Sequence, residues 1–300
     1  MIQVNHVNKS FDGFQALNDL SLHVEKGSVY GLVGPNGAGK STFIRHLTGV
    51  YKQDSGEIFI DGQSAYENPL VKRKIASIPD SIFFFNQSNL KDLMKMYKGV
   101  YPDFDEDKFY KLLPAFPELD LKKNLRSMSK GMQKQTAFLL SIAANPEILV
   151  LDEPIDGLDP VMRRQVWSIL LADVEEKQTT VLISSHNLRE LEDVCDHVGI
   201  LNHGKLILER SLSDLQSSTV KVQIAYEGER PVILPEGMEL LHESRTGRVY
   251  SFILRGDIDV IQEKLMATNP LLLDILPLTL EEIFIYELGG ADYAVKDILI

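Results

Sequence analysis

Residues 29–42 of this chain read Val29-Tyr30-Gly31-Leu32-Val33-Gly34-Pro35-Asn36-Gly37-Ala38-Gly39-Lys40-Ser41-Thr42. The first five residues predict a buried parallel strand, and the glycine-rich turn after them precedes a predicted helix that begins near Lys40. In a turn of this pattern, backbone amides and the helix N-terminus surround phosphate groups, the lysine reaches the β- and γ-phosphates, and the serine ligates Mg²⁺. A turn that is glycine-rich for geometric reasons alone leaves the lysine unexplained. We therefore predict a nucleotide-phosphate loop formed by Gly34, Pro35, Asn36, Gly37, Ala38, Gly39, Lys40, Ser41 and Thr42.

Two further buried strands end in residues that suit nucleotide chemistry. Residues 148–151 are apolar and run into Asp152-Glu153, and the strand over residues 179–183 runs into Ser184-Ser185-His186. A crossover helix is predicted between them, so the centre of the chain is a mostly parallel α/β sheet. Ligands of such sheets bind at the carboxyl ends of the strands. Asp152 is therefore predicted to hold Mg²⁺, and Glu153 to polarise the attacking water.

The composition limits the classes of function. The chain has 300 residues, 31 basic and 43 acidic side chains and a formal charge of −12, which argues against nucleic-acid binding. Cys195 is the only cysteine, which excludes an intrachain disulfide and indicates a reducing compartment. Neither a signal peptide nor a run of about 18 apolar residues is visible. We expect a cytoplasmic protein that does not insert into a membrane and reaches one only through a partner.

The pattern of apolar residues changes along the chain. Before the phosphate loop it alternates with a period of two, which predicts half-exposed antiparallel strands. Residues from about 81 to 145 show helical spacing and predict an inserted helical subdomain. After residue 215 the pattern predicts a small α+β accessory domain over residues 216–300, with strands over 221–225, 249–254 and 271–276 and helices over 259–267 and 280–288. Residues 1–215 are then the nucleotide-binding domain.

Residues 128–133 read Met128-Ser129-Lys130-Gly131-Met132-Gln133 and lie between the loop and Asp152. This segment resembles the signature motif, LSGGQ, of ATP-binding cassette (ABC) ATPases, although Met128 and Lys130 depart from its usual wording. Ser129 is a good N-cap, so a capped, buried helix would also explain the segment. The resemblance implies a P-loop NTPase fold of ABC type. It also implies that Ser129, Gly131 and Gln133 face the γ-phosphate of ATP held by a second cassette.

The resemblance covers about residues 1–215 and assigns further positions. It implies that Phe11 stacks on adenine, that Leu158-Asp159 crosses the dimer interface and that His186 bonds the γ-phosphate. Asp80 falls where the family places Gln or Glu near Mg²⁺, although Gln87 is an alternative alignment. Aspartate is shorter by one methylene than glutamate, so hydrolysis is expected to be slow or dependent on a partner.

The expected function is the ATPase subunit of an ABC transporter, bound at the inner face of the cell membrane. A separate transmembrane permease would contact the helical subdomain, with residues 83–85 as an apolar contact surface or as core. A second cassette, identical or related, would complete the dimer. Residues 279–284 resemble the tail of drug, lipid and antibiotic-resistance exporters, which indicates an exporter of the ABC-2 kind. The alternative is a soluble ABC ATPase that acts in assembly or regulation without transport.

Overall fold

The computed structural model describes residues 1–82, 88–227, 234–235, 237–280 and 282. The chain forms two compact units. The first comprises Met1–His186 and Val194–Glu209, and the second comprises Asn187–Asp193 and Arg210–Ile300. The short segment 187–193 thus belongs with the C-terminal part of the chain, although it follows His186 directly.

Ten of the described strands form two sheets, and both sheets lie mainly in the first unit. An antiparallel sheet has the order β2-β1-β4-β5, and the central sheet has the order β10-β9-β3-β8-β7-β6. In the central sheet, β3 pairs in parallel with β8 and β9, and β7 pairs in parallel with β6 and β8. This confirms the predicted fold class. The strands are β1 (Ile2–Phe11), β2 (Phe14–Val24), β3 (Val29–Val33), β4 (Ser55–Ile60), β5 (Gln63–Ser64), β6 (Ile75–Ile78), β7 (Ile148–Asp152), β8 (Thr180–Ser185), β9 (His197–Asn202) and β10 (Lys205–Ser211).

Helices follow or connect these strands. The described part of the helical region between β6 and β7, which leaves out residues 83–87, contains three α-helices and two 3₁₀ turns, at Leu113–Ala115 and Leu125–Ser127. The helix after β7 begins at Pro160, where Asp159 caps it by accepting from the Val161 and Met162 amides. The helices of this unit are α1 (Lys40–Leu47), α2 (Pro69–Lys72), α3 (Leu90–Val100), α4 (Glu106–Leu112), α5 (Lys130–Ala143) and α6 (Pro160–Lys177).

The core of the first unit joins its two sheets through α1. Leu22 and Ile60 of the antiparallel sheet share one buried cluster with Leu32 and Val150 of the central sheet and with Phe43 of α1. Burying each such side chain contributes ~1.5–3 kcal/mol, so this cluster fixes the helix and the strand that flank the phosphate loop.

The second unit is an antiparallel sheet packed on a helix. Its strand order is β12-β13-β11-β14, and Val222 and Phe252 of the sheet pack against Ile261 and Leu265 of α9. The residues 187–193 contribute a short helix, α7, in which the Glu192 carboxylate accepts from the Leu280 amide at 3.2 Å. The elements are α7 (Arg189–Glu192), α8 (Leu212–Ser218), β11 (Thr219–Ala225), β12 (Glu239–Thr246), β13 (Val249–Arg255), α9 (Ile258–Met266) and β14 (Leu272–Leu276).

Two sequence expectations for the C-terminal part need comment. Strand β12 was not expected, because apolar and polar residues do not alternate in Glu239–Thr246. In the structure this strand is exposed on both faces. The predicted helix over 280–288 lies outside the described residues, apart from Leu280 and Glu282. Three positions of the exporter-like tail 279–284, namely 281, 283 and 284, also lie outside the described residues.

Candidate functional site

The phosphate loop connects the end of β3 to the start of α1. Gly34 and Gly39 are closely packed. A Cβ on Gly34 would lie 2.2 Å from the Leu201 carbonyl oxygen, and a Cβ on Gly39 would lie 2.6 Å from the Ala16 carbonyl oxygen. Gly37 also has a positive φ, of 84°, but faces open space. The loop therefore has a fixed, crowded base and an open side, which adjoins a cavity of about 270 Å³ lined by residues 35–42.

Lys40 lies at the centre of this loop and is 6% exposed. Its Nζ donates to the Gly34 carbonyl oxygen at 2.6 Å and lies 3.4 Å from Oε1 of Glu153. The other carboxylate oxygen of Glu153 lies 2.9 Å from Nδ1 of His186 and accepts from the His186 amide at 3.3 Å. The structure thus brings three predicted residues together in one chain of contacts, Lys40 to Glu153 to His186.

Asp152 and Ser184 are neighbours at the ends of β7 and β8. They pair in the sheet register, and the Ser184 hydroxyl donates to Asp152 Oδ1 at 2.5 Å. Asp152 is 5% exposed. A short bond to a carboxylate from a positioned hydroxyl fixes the orientation of that carboxylate. Sequence reasoning did not select Ser184, although its place at a strand end beside Asp152 was a usable signal.

Glu153 has an unusual backbone conformation for a residue with a side chain. Its φ is 48°, in the left-handed region, which is costly for residues other than glycine. Its amide donates to the Ser184 carbonyl at 3.2 Å and lies 3.1 Å from the Ser184 hydroxyl. Its carbonyl oxygen accepts from Nζ of Lys134 at 2.6 Å. Sequence reasoning missed Lys134.

The signature segment forms the start of α5. Ser129 caps this helix, and its Oγ accepts from the Met132 amide at 3.2 Å, which leaves the hydroxyl proton to donate elsewhere. Gly131 lies against the turn after Glu153, because a Cβ on Gly131 would come within 3.2 Å of the Gly157 carbonyl oxygen. Helix N-termini of this kind favour anions.

Gln133, the last of the predicted signature residues, bonds to its own chain in this structure. Its amide nitrogen donates to the Leu125 and Met128 carbonyl oxygens, both at 3.2 Å. A five-residue motif counted from Met128 ends at Met132, so Gln133 stands one residue beyond it. The amide nitrogen of Gln133 therefore holds the turn before α5, which is a structural contact within this chain.

Two phenylalanines flank the turn between β1 and β2. Phe11 is 38% exposed and packs edge-on against Tyr51 at 5.4 Å, with Lys9 Nζ 5.3 Å from its ring centre. Phe14 is 64% exposed and lines the cavity of the phosphate loop, together with Ala16. Exposed aromatic faces suit a purine ring. Phe14 was not among the predicted residues, and its unusual exposure is visible only in the structure.

Asp80 follows β6 and lines the same cavity as Glu153. Its Oδ1 lies 3.7 Å from Nζ of Lys134, and its side chain is 52% exposed. It also lines a second cavity, together with Lys130, Lys134 and Gly157. The alternative residue Gln87 and the apolar residues 83–85 lie outside the described residues.

One histidine and one cysteine of this unit, His46 and Cys195, are buried away from the contacts described above. His46 of α1 is buried, which lowers its pKa, and Nδ1 lies 2.7 Å from the Thr42 carbonyl oxygen. Burial raises the pKa of the Cys195 thiol, which keeps it protonated and unreactive at neutral pH.

The donor set fits ATP and Mg²⁺. The loop offers a cradle open at Gly37 and a buried ammonium on Lys40, which match phosphate oxygens. Ser41 and Asp152 provide hard oxygen donors, and Mg²⁺ usually takes one or two protein oxygens together with phosphates and water. No group of three or more His, Cys, Asp and Glu side chains able to hold a metal occurs within the described residues.

Across the described part of the chain, the helices are too short or too polar to cross a lipid bilayer.

Comparison with known proteins gives a consistent result. The family model described as ABC transporter matches residues 17–156. The ABC transporter ATP-binding protein YtrB of Bacillus subtilis is 33% identical over 97% of this chain and 99% of its own length. The bacitracin transport ATP-binding protein BcrA of Bacillus licheniformis is 29% identical over 97% of this chain and 98% of its own.

Solved structures agree on the fold. An ATP-binding subunit of an ABC transporter superposes with a TM-score of 0.65 at 26% identity, and the match covers 72% of this chain and 92% of that subunit. The match to YtrB runs over nearly the whole length of both proteins. On this basis, and on the phosphate loop and strand-end residues described above, the chain belongs to the family of ABC transporter ATP-binding proteins.

Proposed function

We propose that this chain hydrolyses ATP as one cassette of a dimer and drives a separate membrane-spanning subunit of an exporter. The contacts from Lys40 through Glu153 to His186 carry the proposal. They join the phosphate-loop lysine, a carboxylate and an imidazole at one edge of the sheet. A folded chain that used the loop only as a structural turn would have no need for this arrangement.

Lys40 and Glu153 exchange partners during the reaction. When ATP enters the cradle, its phosphates replace the Gly34 carbonyl and Glu153 as partners of the Lys40 ammonium. Glu153 is then free to orient the attacking water and accept its proton, while His186 donates to the γ-phosphate. The water oxygen bonds to the γ-phosphorus, the bond to the leaving β-phosphate oxygen breaks, and ADP and phosphate leave.

Ser41 and Asp152 would hold Mg²⁺ beside the phosphates. The ion would neutralise charge on the β- and γ-phosphate oxygens when it is bound. Asp152 is already oriented for this role by the bond from Ser184. Asp80 lines the cavity as well, and we propose that it reaches the ion or its water ligands.

The start of α5 would face the nucleotide of a second cassette. Ser129 has a free hydroxyl proton, and the first-turn amides of α5, including that of Gly131, would add donors for the γ-phosphate. Phe11 and Phe14 would contact adenine in their own cassette. ATP then stabilises the closed dimer, and hydrolysis with phosphate release removes the contacts across it.

The partner is a permease at the inner face of the cell membrane, and the chain would be peripheral there. The relative BcrA is named for bacitracin transport, and the relative LptB of Haemophilus influenzae is named for lipopolysaccharide export, which supports an exporter. The helical region between β6 and β7 would receive the permease. The partner cassette would be a second copy or a related chain, since one chain carries the residues for both halves of each site.

A pull-down of the Glu153→Gln form tests this function. The tagged form is isolated with Mg-ATP from detergent-solubilised native cells, with wild type and ADP as controls, and the captured chains are identified and counted. We expect a multi-span protein in fixed ratio with two cassettes. Capture of soluble proteins alone, with the chain absent from membranes, would support the alternative of an assembly or regulatory ATPase.

A further inference from the structure

We propose that Lys134 is a positioning residue that holds the backbone of Glu153 for hydrolysis, an inference that rests on the proposed role of Glu153. Lys134 lies on α5, five residues after the cap Ser129, and is 7% exposed. Its Nζ donates to the Glu153 carbonyl oxygen at 2.6 Å. A helix whose start is presented to a second cassette is thereby bonded to the carboxylate-bearing residue of its own site.

The backbone of Glu153 requires such a bond. Its φ of 48° is in a region that costs on the order of 1 kcal/mol or more for an L-residue, so the surroundings must enforce it. Ser184 holds the amide side of the residue, through its carbonyl and hydroxyl oxygens. On the carbonyl side, the Asp156 amide contributes a longer bond of 3.3 Å, and Lys134 contributes the short one.

A buried lysine such as Lys134 is an energetically costly hydrogen-bond donor for a single carbonyl oxygen. Taking an ammonium out of water costs several kcal/mol unless it is compensated, and an apolar residue would pack on this helix at lower cost. Asp80 supplies partial compensation, with Oδ1 3.7 Å from Nζ. The position at which this chain departs from the family pattern, Asp80, therefore faces a buried cation. We infer that the two residues act together, Asp80 as counter-charge and Lys134 as the donor.

The geometry predicts an effect on turnover and not on ATP binding. The bonds that hold Lys40 in the loop and orient Asp152 do not involve Lys134. Without Lys134, the Glu153 backbone can relax, and its carboxylate moves relative to the attacking water. A displacement of about 1 Å in a reacting group costs up to ~100-fold in rate, so we expect kcat to fall about 10- to 100-fold.

The experiment compares Lys134→Met, which removes the donor, with Lys134→Arg, which keeps it. Lys108→Met is the matched control, because Lys108 is also a largely buried lysine of the helical region and pairs with Asp173, away from Glu153. ATPase rates over a range of ATP concentrations give kcat and KM. A fluorescent ATP analogue reports binding, and thermal unfolding reports folding. We expect a large loss of kcat only in Lys134→Met, with KM and analogue affinity within about threefold of wild type.

A double variant separates positioning from a general structural role. In a Glu153→Gln background, Lys134→Met should leave the residual turnover unchanged, because no carboxylate remains to be positioned. If the substitution lowers turnover equally in both backgrounds, or if Lys134→Met has wild-type kcat, the proposal is wrong. If Glu153→Gln alone turns over normally, the role of Glu153 is wrong instead. Should Lys134→Met fail to fold, Lys134→Gln takes its place in both comparisons.

Discussion

Ser184→Ala is the substitution whose effect follows most directly from the structure. It removes the hydroxyl that donates to Asp152 Oδ1 at 2.5 Å, a short bond to a charged acceptor in a buried site. Loss of a hydrogen bond to a charged group costs ~1.5–3 kcal/mol. Part of this free energy is lost from folding stability. The rest is lost from the orientation of the Asp152 carboxylate, which is proposed to hold Mg²⁺. Removing such a supporting partner typically weakens metal affinity or activity by ~10- to 100-fold.

Steady-state ATPase rates measured against free Mg²⁺, at saturating ATP, report this effect. We expect the half-saturating Mg²⁺ concentration of Ser184→Ala to rise at least about tenfold. Thr180→Val is the matched control, because Thr180 lies on the same strand, is fully buried and accepts from the Gly27 amide at 3.0 Å. Its substitution should lower stability by ~0.5–1.5 kcal/mol and leave the Mg²⁺ dependence unchanged. A folded Ser184→Ala protein with wild-type Mg²⁺ dependence would refute the assignment of Asp152.

Three further outcomes follow from the site and the core. Lys40→Ala should abolish tight ATP binding in equilibrium titrations, because it removes the buried ammonium of the loop; unchanged affinity would contradict the phosphate-loop assignment. Ser129→Arg should leave ATP binding by the monomer intact and prevent dimer formation, which size-exclusion chromatography of the chain carrying Glu153→Gln would detect as a persistent monomer. Cys195, whose thiol pKa is raised by burial, should resist thiolate-selective reagents in the native chain at pH 8 and react once denaturant is added; rapid native labelling would contradict its burial.

The residues at strand ends are predictable because their surroundings are regular. Asp152 ends β7 and His186 follows β8, both strands are buried on both faces, and parallel strands bring their carboxyl ends to one edge. The phosphate loop is recognised by glycine and lysine spacing alone. The sequence pattern is therefore sufficient to predict the order of these strands and helices along the chain. It also predicts which residues lie together at the carboxyl edge of the central sheet.

Lys134 is less accessible to such reasoning because a lysine within a helix usually indicates a solvated face. Its register gives a usable signal, since Ala137, Phe138 and Ser141, at three, four and seven positions further on, are buried. Charge at a core register indicates a specific partner, but not which one. The partner here is a backbone carbonyl, and no side-chain pattern encodes its position.

The aromatic residues near the loop show a different limit. Phe11 and Phe14 stand opposite each other in the hairpin, so either is a candidate for the adenine contact from sequence alone. Phe11 also contacts Tyr51, which is remote in sequence, whereas Phe14 is left facing the cavity. The difference between them depends on tertiary packing.

The membership of residues 187–193 in the second unit affects how this protein can be shortened. Leu191 of α7 is fully buried, and the Glu192 carboxylate accepts from the Leu280 amide, so Glu192 depends on a residue 88 positions further along the sequence. A chain cut after Glu209 would keep α7, which begins at Arg189, three residues after His186, but would lose Leu280, the hydrogen-bond partner of Glu192. Altered activity of such a fragment would therefore not by itself show a regulatory effect of the missing domain. Point substitutions on the face of α9 that is remote from the sheet are the safer way to examine what the C-terminal unit does.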